Sequence, residues 1–201
     1  VRAFLAFFAL TAVAFAGDPI WSPPAGFPPT LRDIASRLPP DTPAKDPDLI
    51  TYGHEGSHFL TRFRPGEHGL YALRGRWEWV PIPPIRTADL FARIPPDERG
   101  TIYETYRRQG MAEGWANRPT MVLDEWVAYL RGSQIRRELS LQIRGETNRH
   151  AMSMARYSRT LYKMSREVKG YDYSRLRDFC RWTLSECREA IPEWDNSIRF
   201  D

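Results

Sequence analysis

Cysteine is nearly absent: the chain has 201 residues and two of them, Cys180 and Cys187. That excludes a disulfide-built scaffold and leaves stability to a hydrophobic core. On one continuous helix the two would stand about 10.5 Å apart, beyond the ~7 Å that a bridge tolerates. Both also fall on an apolar stripe with Leu176, Phe179, Leu184 and Ile191, so buried free thiols are expected. Lysine is scarce as well; Lys45, Lys163 and Lys169 apart, the 29 basic residues are arginine. They are scattered among 25 acids for a net charge of +4. This reads as a solvated basic surface and argues against a nucleic-acid partner, with an anionic envelope polymer as the weaker charge-driven option. Long apolar runs are missing except at the start, where Ala3 to Phe15 falls short of the ~20 residues of a membrane span.

That first stretch reads as a secretory signal. Arg2 supplies the charge, Ala3 to Phe15 the apolar segment and Ala14-Phe15-Ala16 an A-x-A cleavage site. Residues 1–16 are therefore expected to be removed. The mature chain should be exported to the periplasm or the outside, without stable membrane insertion. Residues 17–45 form a lead-in rich in proline (Pro19, Pro23, Pro24, Pro28, Pro29, Pro39, Pro40, Pro43). It should be extended or weakly ordered, with one short helix at Thr30–Arg37.

Residues 46–201 suit a single domain. Gly69 to Pro84 alternates in strand fashion about a turn at Arg74-Gly75 and predicts a β-hairpin, its second strand marked as an edge by Pro81. From Thr87 the pattern is helical: Thr87–Arg93, Glu98–Gln109, a longer helix from Thr120, then helices within Ile135–Val168 and Tyr173–Ala190. The expected fold class is α+β, mostly helical, with a small hairpin or sheet.

Two of only four histidines stand in His54-Glu55-Gly56-Ser57-His58, an H-E-x-x-H run. On a helix, residues four apart share a face with Cβ atoms roughly 6 Å apart, so two imidazoles so placed can hold one Zn²⁺. Glu55, offset by one position, would miss the ion and act as general base on water beside it. The helix this requires is predicted from an Asp46-Pro47 cap to a stop at Pro65-Gly66, with Leu49, Ile50, Tyr52, Phe59, Leu60 and Phe63 as its apolar surface. Gly53 and Gly56 imply a close neighbour, either another backbone or a substrate strand.

Thr51 three residues before the first histidine, uncharged Gly56 and Ser57 between the pair, and apolar Leu60 two after the second resemble the extended zincin metallopeptidase signature. Catalytic zinc usually has three protein ligands. The metzincin pattern would place a glycine and a third histidine where Thr61 and Arg64 stand, so that subclass is excluded. The run Met121-Val122-Leu123-Asp124-Glu125-Trp126-Val127-Ala128-Tyr129-Leu130 resembles the glutamate-bearing helix of gluzincins such as the lethal-factor-like peptidases, although the N-E-x-x-x-D form is absent. The resemblance implies Zn²⁺ on His54, His58 and Glu125, with Asp124 orienting a histidine from behind. Three alternatives stay open: Asp124 as the ligand, His68 folded back from its Pro-Gly-rich turn, or both acids salt-bridged at the surface to Arg118 or Arg131.

Tyr129, one turn beyond Glu125, is placed to hydrogen-bond the oxyanion of a peptide undergoing attack, with Tyr103 and Tyr106 as rivals. His150 reads as a surface residue. The expected activity is exported, zinc-dependent hydrolysis of a peptide or protein substrate, with the hairpin edge as a place for a substrate strand. The competing expectations are a non-catalytic zincin-fold envelope binding protein, favoured by a closed four-ligand site, and a metal-free envelope scaffold.

Overall fold

The computed structural model describes residues 26–39, 42, 48–112, 114–141 and 145–201. The signal segment, the first part of the lead-in and the Asp46-Pro47 cap lie outside the described residues. In chain order the elements are α1 (Pro29–Ala35), α2 (Leu49–Phe59), β1 (Arg62–Arg64), β2 (Glu67–Tyr71), β3 (Trp77–Pro81), α3 (Thr87–Arg93), α4 (Tyr103–Gly110), α5 (Met121–Glu138), α6 (Glu146–Glu167) and α7 (Ser174–Ala190). The fold is mostly helical α+β, with one antiparallel sheet of order β1-β2-β3.

Helix α5 is the centre. Val122, Leu123, Trp126, Val127, Ala128, Leu130 and Ile135 are buried on several of its sides, as expected of a helix surrounded by protein. It packs against α1, α2, α6, α7 and strand β2. Helices α6 and α7 each turn one apolar stripe inward: Ala151, Met154, Ala155 and Leu161 from α6, and Leu176, Cys180, Leu184 and Cys187 from α7. Both cysteines are free and buried, and burial pushes both thiols up. No helix among the described residues is long and apolar enough to cross a membrane.

Helix α2 departs from expectation at both ends. Asp48 caps it by accepting from the Ile50 N–H. It then stops at Phe59, so Phe63 is not one of its residues. Residues 62–64 alternate instead: Phe63 stacks on His68 at 4.4 Å, while Arg62 and Arg64 lie over the Trp77 and Trp79 rings. That period of two is a strand's, and the predicted hairpin gains a third strand. Pro65-Gly66 makes the β1–β2 turn, where Gly66 takes a φ of +74°, rather than ending a helix. His68 consequently sits in β2 and not in a turn. Helix α4 begins at Tyr103 because Pro96–Glu98 forms a separate 3-10 turn.

The short helix expected in the lead-in is present as α1, and it is packed in: Leu31 and Ile34 are fully buried. Its start is tied to the end of α5, where the Thr30 N–H and hydroxyl donate to the Glu138 carboxylate at 3.0 and 2.7 Å. The close neighbour of the α2 glycines is this core, not a backbone or a substrate strand. A Cβ at Gly53 would stand 2.0 Å from Ile135 Cδ1, and one at Gly56 would stand 2.7 Å from Ile34 Cγ2. Gly53→Ala should therefore destabilise the protein in urea denaturation. Overpacking costs typically about 1–3 kcal/mol, and the roughly 1 kcal/mol that alanine regains in a helix offsets only part of it. An unchanged or higher stability would show that Ile135 moves aside freely.

Candidate metal centre

One turn of α2 presents His54 and His58 with their rings edge to face, centroids 4.9 Å apart. Their Nε2 atoms are 3.2 Å from each other. Across from them α5 supplies two consecutive acids, which a helix points about 100° apart, so the two do different things. Glu125 Oε2 lies 3.7 Å from His54 Nε2 and 3.6 Å from His58 Nε2. Asp124 goes behind His58, 2.8 Å from Nδ1, and also accepts from the Thr61 hydroxyl. Neither acid is at the surface paired with Arg118 or Arg131; both are buried.

The three donor atoms, His54 Nε2, His58 Nε2 and Glu125 Oε2, form a near-equilateral triangle. Around a tetrahedral ion with bonds of about 2.0–2.1 Å, ligand atoms sit roughly 3.3–3.4 Å apart. The sides match that to a few tenths of an ångström. The Asp124 contact also fixes the tautomer: with hydrogen on Nδ1, His58 turns the Nε2 lone pair into the triangle, as ligand histidines do.

Without an ion the same atoms share protons. Burial opposes a charge on His58, but Asp124 and Glu125 overcome it and hold its pKa well above the ordinary value. Burial, with the charge on His58, pushes His54 down to about 4. Burial would raise both acids, yet His58 holds each below its ordinary range. A proton on His58 thus occupies the place of a cation. An incoming metal ion should expel it, releasing about one proton per ion at neutral pH. Affinity should rise with pH, about tenfold per unit, until pH passes the raised pKa of His58. Calorimetric titration in buffers of different ionisation heat measures that release; a value near zero would mean that His58 is already neutral.

Tyrosines close one side. The Tyr106 hydroxyl donates to Glu125 Oε2 at 2.7 Å and lies 2.9 Å from the Tyr129 hydroxyl. Tyr129 packs its ring on His54 at 4.4 Å. Its pKa is pushed up to about 12 by burial, with the charges of Glu125 and Glu55 adding to the effect. Glu55 is exposed on α2, and Tyr129 feels its charge. Of the three tyrosines considered, Tyr106 and Tyr129 reach the site, while the Tyr103 hydroxyl is spent on the Phe91 carbonyl.

No protein-family model, curated protein or solved structure matches this chain.

Two histidines lie elsewhere than expected. His68 is fully buried, with Nδ1 3.0 Å from the Thr120 hydroxyl, and burial lowers its pKa to about 4. It is not one of the clustered donors; it braces the start of α5, the helix that carries Glu125. His150 is half-buried, not a surface residue, and packs edge-on against Tyr129 at 5.1 Å. The signal for it was its place beside the Ala151, Met154, Ala155 stripe. The polar partners Thr61 and Tyr106 carry no comparable signal, because only the fold brings them to the acids.

Proposed function

We propose that the chain is an exported, zinc-dependent metallopeptidase of gluzincin-like type. The observation that carries this reading is the triangle of His54, His58 and Glu125, with exposed Glu55 next to the first histidine. A Zn²⁺ ion bound there would supply Lewis-acid polarisation of a peptide carbonyl and would acidify water. Glu55 then takes the proton of the attacking water and passes it to the departing amine. Tyr129, whose raised pKa keeps it protonated, points its hydroxyl hydrogen at Tyr106 and would turn it to the developing oxyanion when substrate arrives. Asp124 holds His58 in the tautomer that binds, and Tyr106 holds the Glu125 carboxylate in place.

The binding-protein alternative asks for a fourth protein ligand. Neither candidate joins the triangle: Asp124 is engaged by His58 Nδ1 and Thr61, and His68, held by Thr120 at Nδ1, is not among the clustered donors. Three ligands with an open position suit catalysis. Export rests on the N-terminal segment alone, and N-terminal sequencing of secreted protein tests it. The activity is tested by metal analysis of purified protein together with hydrolysis of a diverse peptide library, with and without chelator. Stoichiometric zinc and chelator-sensitive cleavage are expected. Zinc bound without cleavage of any peptide would hand the site to the binding-protein alternative.

A further inference from the structure

Thr61 is the second residue after α2, at the point where the chain turns from helix into strand β1. Its backbone is held from two sides. The Thr61 N–H donates to the His58 carbonyl at 3.1 Å. One residue earlier, the Leu60 carbonyl accepts from the indole N–H of Trp77 on β3 at 2.7 Å. Trp77 is in turn in contact with the Tyr71 ring and the Arg62 guanidinium. The sheet thus helps to set where the Thr61 hydroxyl stands.

That hydroxyl donates to Asp124 Oδ1, while Oδ2 of the same carboxylate lies 2.8 Å from His58 Nδ1. The contacts close a ring. His58 is bonded through its backbone to Thr61, Thr61 through its hydroxyl to Asp124, and Asp124 back to the His58 imidazole. A single contact does not fix a carboxylate, because the last torsion of an aspartate is broad. A second contact, on the other oxygen, fixes its plane. Asp124 is only 4% exposed, so little water is at hand to replace the hydroxyl, and an unpaired buried carboxylate oxygen is costly.

We propose that Thr61 is a positioning residue of the metal site: its hydroxyl locks Asp124, and through Asp124 the His58 imidazole, in the orientation that turns Nε2 into the donor triangle. Thr61 is not one of the clustered donors, so its effect is exerted through another residue. The inference rests on the metal-binding half of the reading above and does not require peptide cleavage.

Zinc affinity of the full chain is measured by competition with a fluorescent chelator, and melting temperatures of the metal-free protein are taken alongside. Thr61→Val, close in shape but without the hydroxyl, should weaken zinc by about tenfold, the lower end of the range for partners behind a ligand. Thr61→Ala, which also lacks the hydroxyl, should do the same, while Thr61→Ser, which keeps it, should bind zinc close to wild type. In Asp124→Ala the hydroxyl has no carboxylate to hold, so adding Thr61→Val should cost nothing further. A residue that serves only the fold would lower the melting temperature and spare zinc affinity, or weaken zinc by one factor in both backgrounds. Either result, or Thr61→Ser binding as poorly as Thr61→Val, overturns the proposal. Weakened zinc in Thr61→Val beside a wild type that cleaves no peptide would keep this role and remove the peptidase. Unchanged affinity beside chelator-sensitive cleavage would do the reverse.

Discussion

Replacing Glu55 by glutamine should leave zinc bound and the fold intact while peptide hydrolysis falls by at least about 10²–10⁴-fold. The side chain is exposed on α2, next to a donor histidine and outside the donor triangle, so the change of carboxylate to amide removes no ligand. An amide cannot take a proton from water at neutral pH, and that is the step which the proposed mechanism gives to Glu55. His54 and His58 turn Nε2 inward, and Asp124 is engaged with His58 and Thr61. The measurement is library hydrolysis by wild type, Glu55→Gln and chelator-treated protein, with metal content determined on the same samples. Equal rates for wild type and Glu55→Gln would refute the mechanism even with zinc in place.

Zinc affinity should fall far more in Glu125→Ala than in Asp124→Asn, although the two acids are neighbours in the chain. Glu125 Oε2 faces both Nε2 atoms, so its removal deletes one of three donors. Asp124 acts through the far side of His58, and loss of such an outer partner typically costs 10–100-fold. The drop in Glu125→Ala should exceed that range, and the stabilisation of the native state by zinc should vanish with it. At a zinc concentration 100 times Kd that stabilisation is about 2.7 kcal/mol, readable as a shift in melting temperature on adding zinc. If Asp124→Asn proves the more damaging change, the ligand assignment is inverted.

The histidine pair and its two acids were readable from the sequence because each sits inside a helix with a strong pattern. His54 and His58 follow the i, i+4 rule, and Asp124 and Glu125 interrupt an apolar run where a bare carboxylate would be costly. Sequence alone left open which acid faces the donor atoms, since consecutive residues on a helix differ only in direction, and direction is set by packing. The error at Phe63 has a similar root. Three residues of alternating character are too few to outweigh the apolar helix before them, and strand β1 exists only because β2 pairs with it. His68 was misplaced for the same reason: the Pro-Gly signal lies in the turn before it, while its burial comes from the sheet and from Thr120. Thr61 meets Asp124 across 63 residues of chain and Tyr106 meets Glu125 across 19, separations that local pattern does not bridge.

The bare back of α2 has a mechanical consequence. Where most buried helices interlock with their neighbours through side chains of their own, this one rests at Gly53 and Gly56 directly on Ile135, Leu31, Ile34 and Leu38. The depth at which the two imidazoles stand over Glu125 is thus fixed by the bulk of residues on α1, α5 and the segment after α1, acting as shims. Trimming or enlarging Ile34 would raise or lower the His58 end of the helix, and Ile135 the His54 end, so the triangle can be adjusted from behind with its donor residues left untouched.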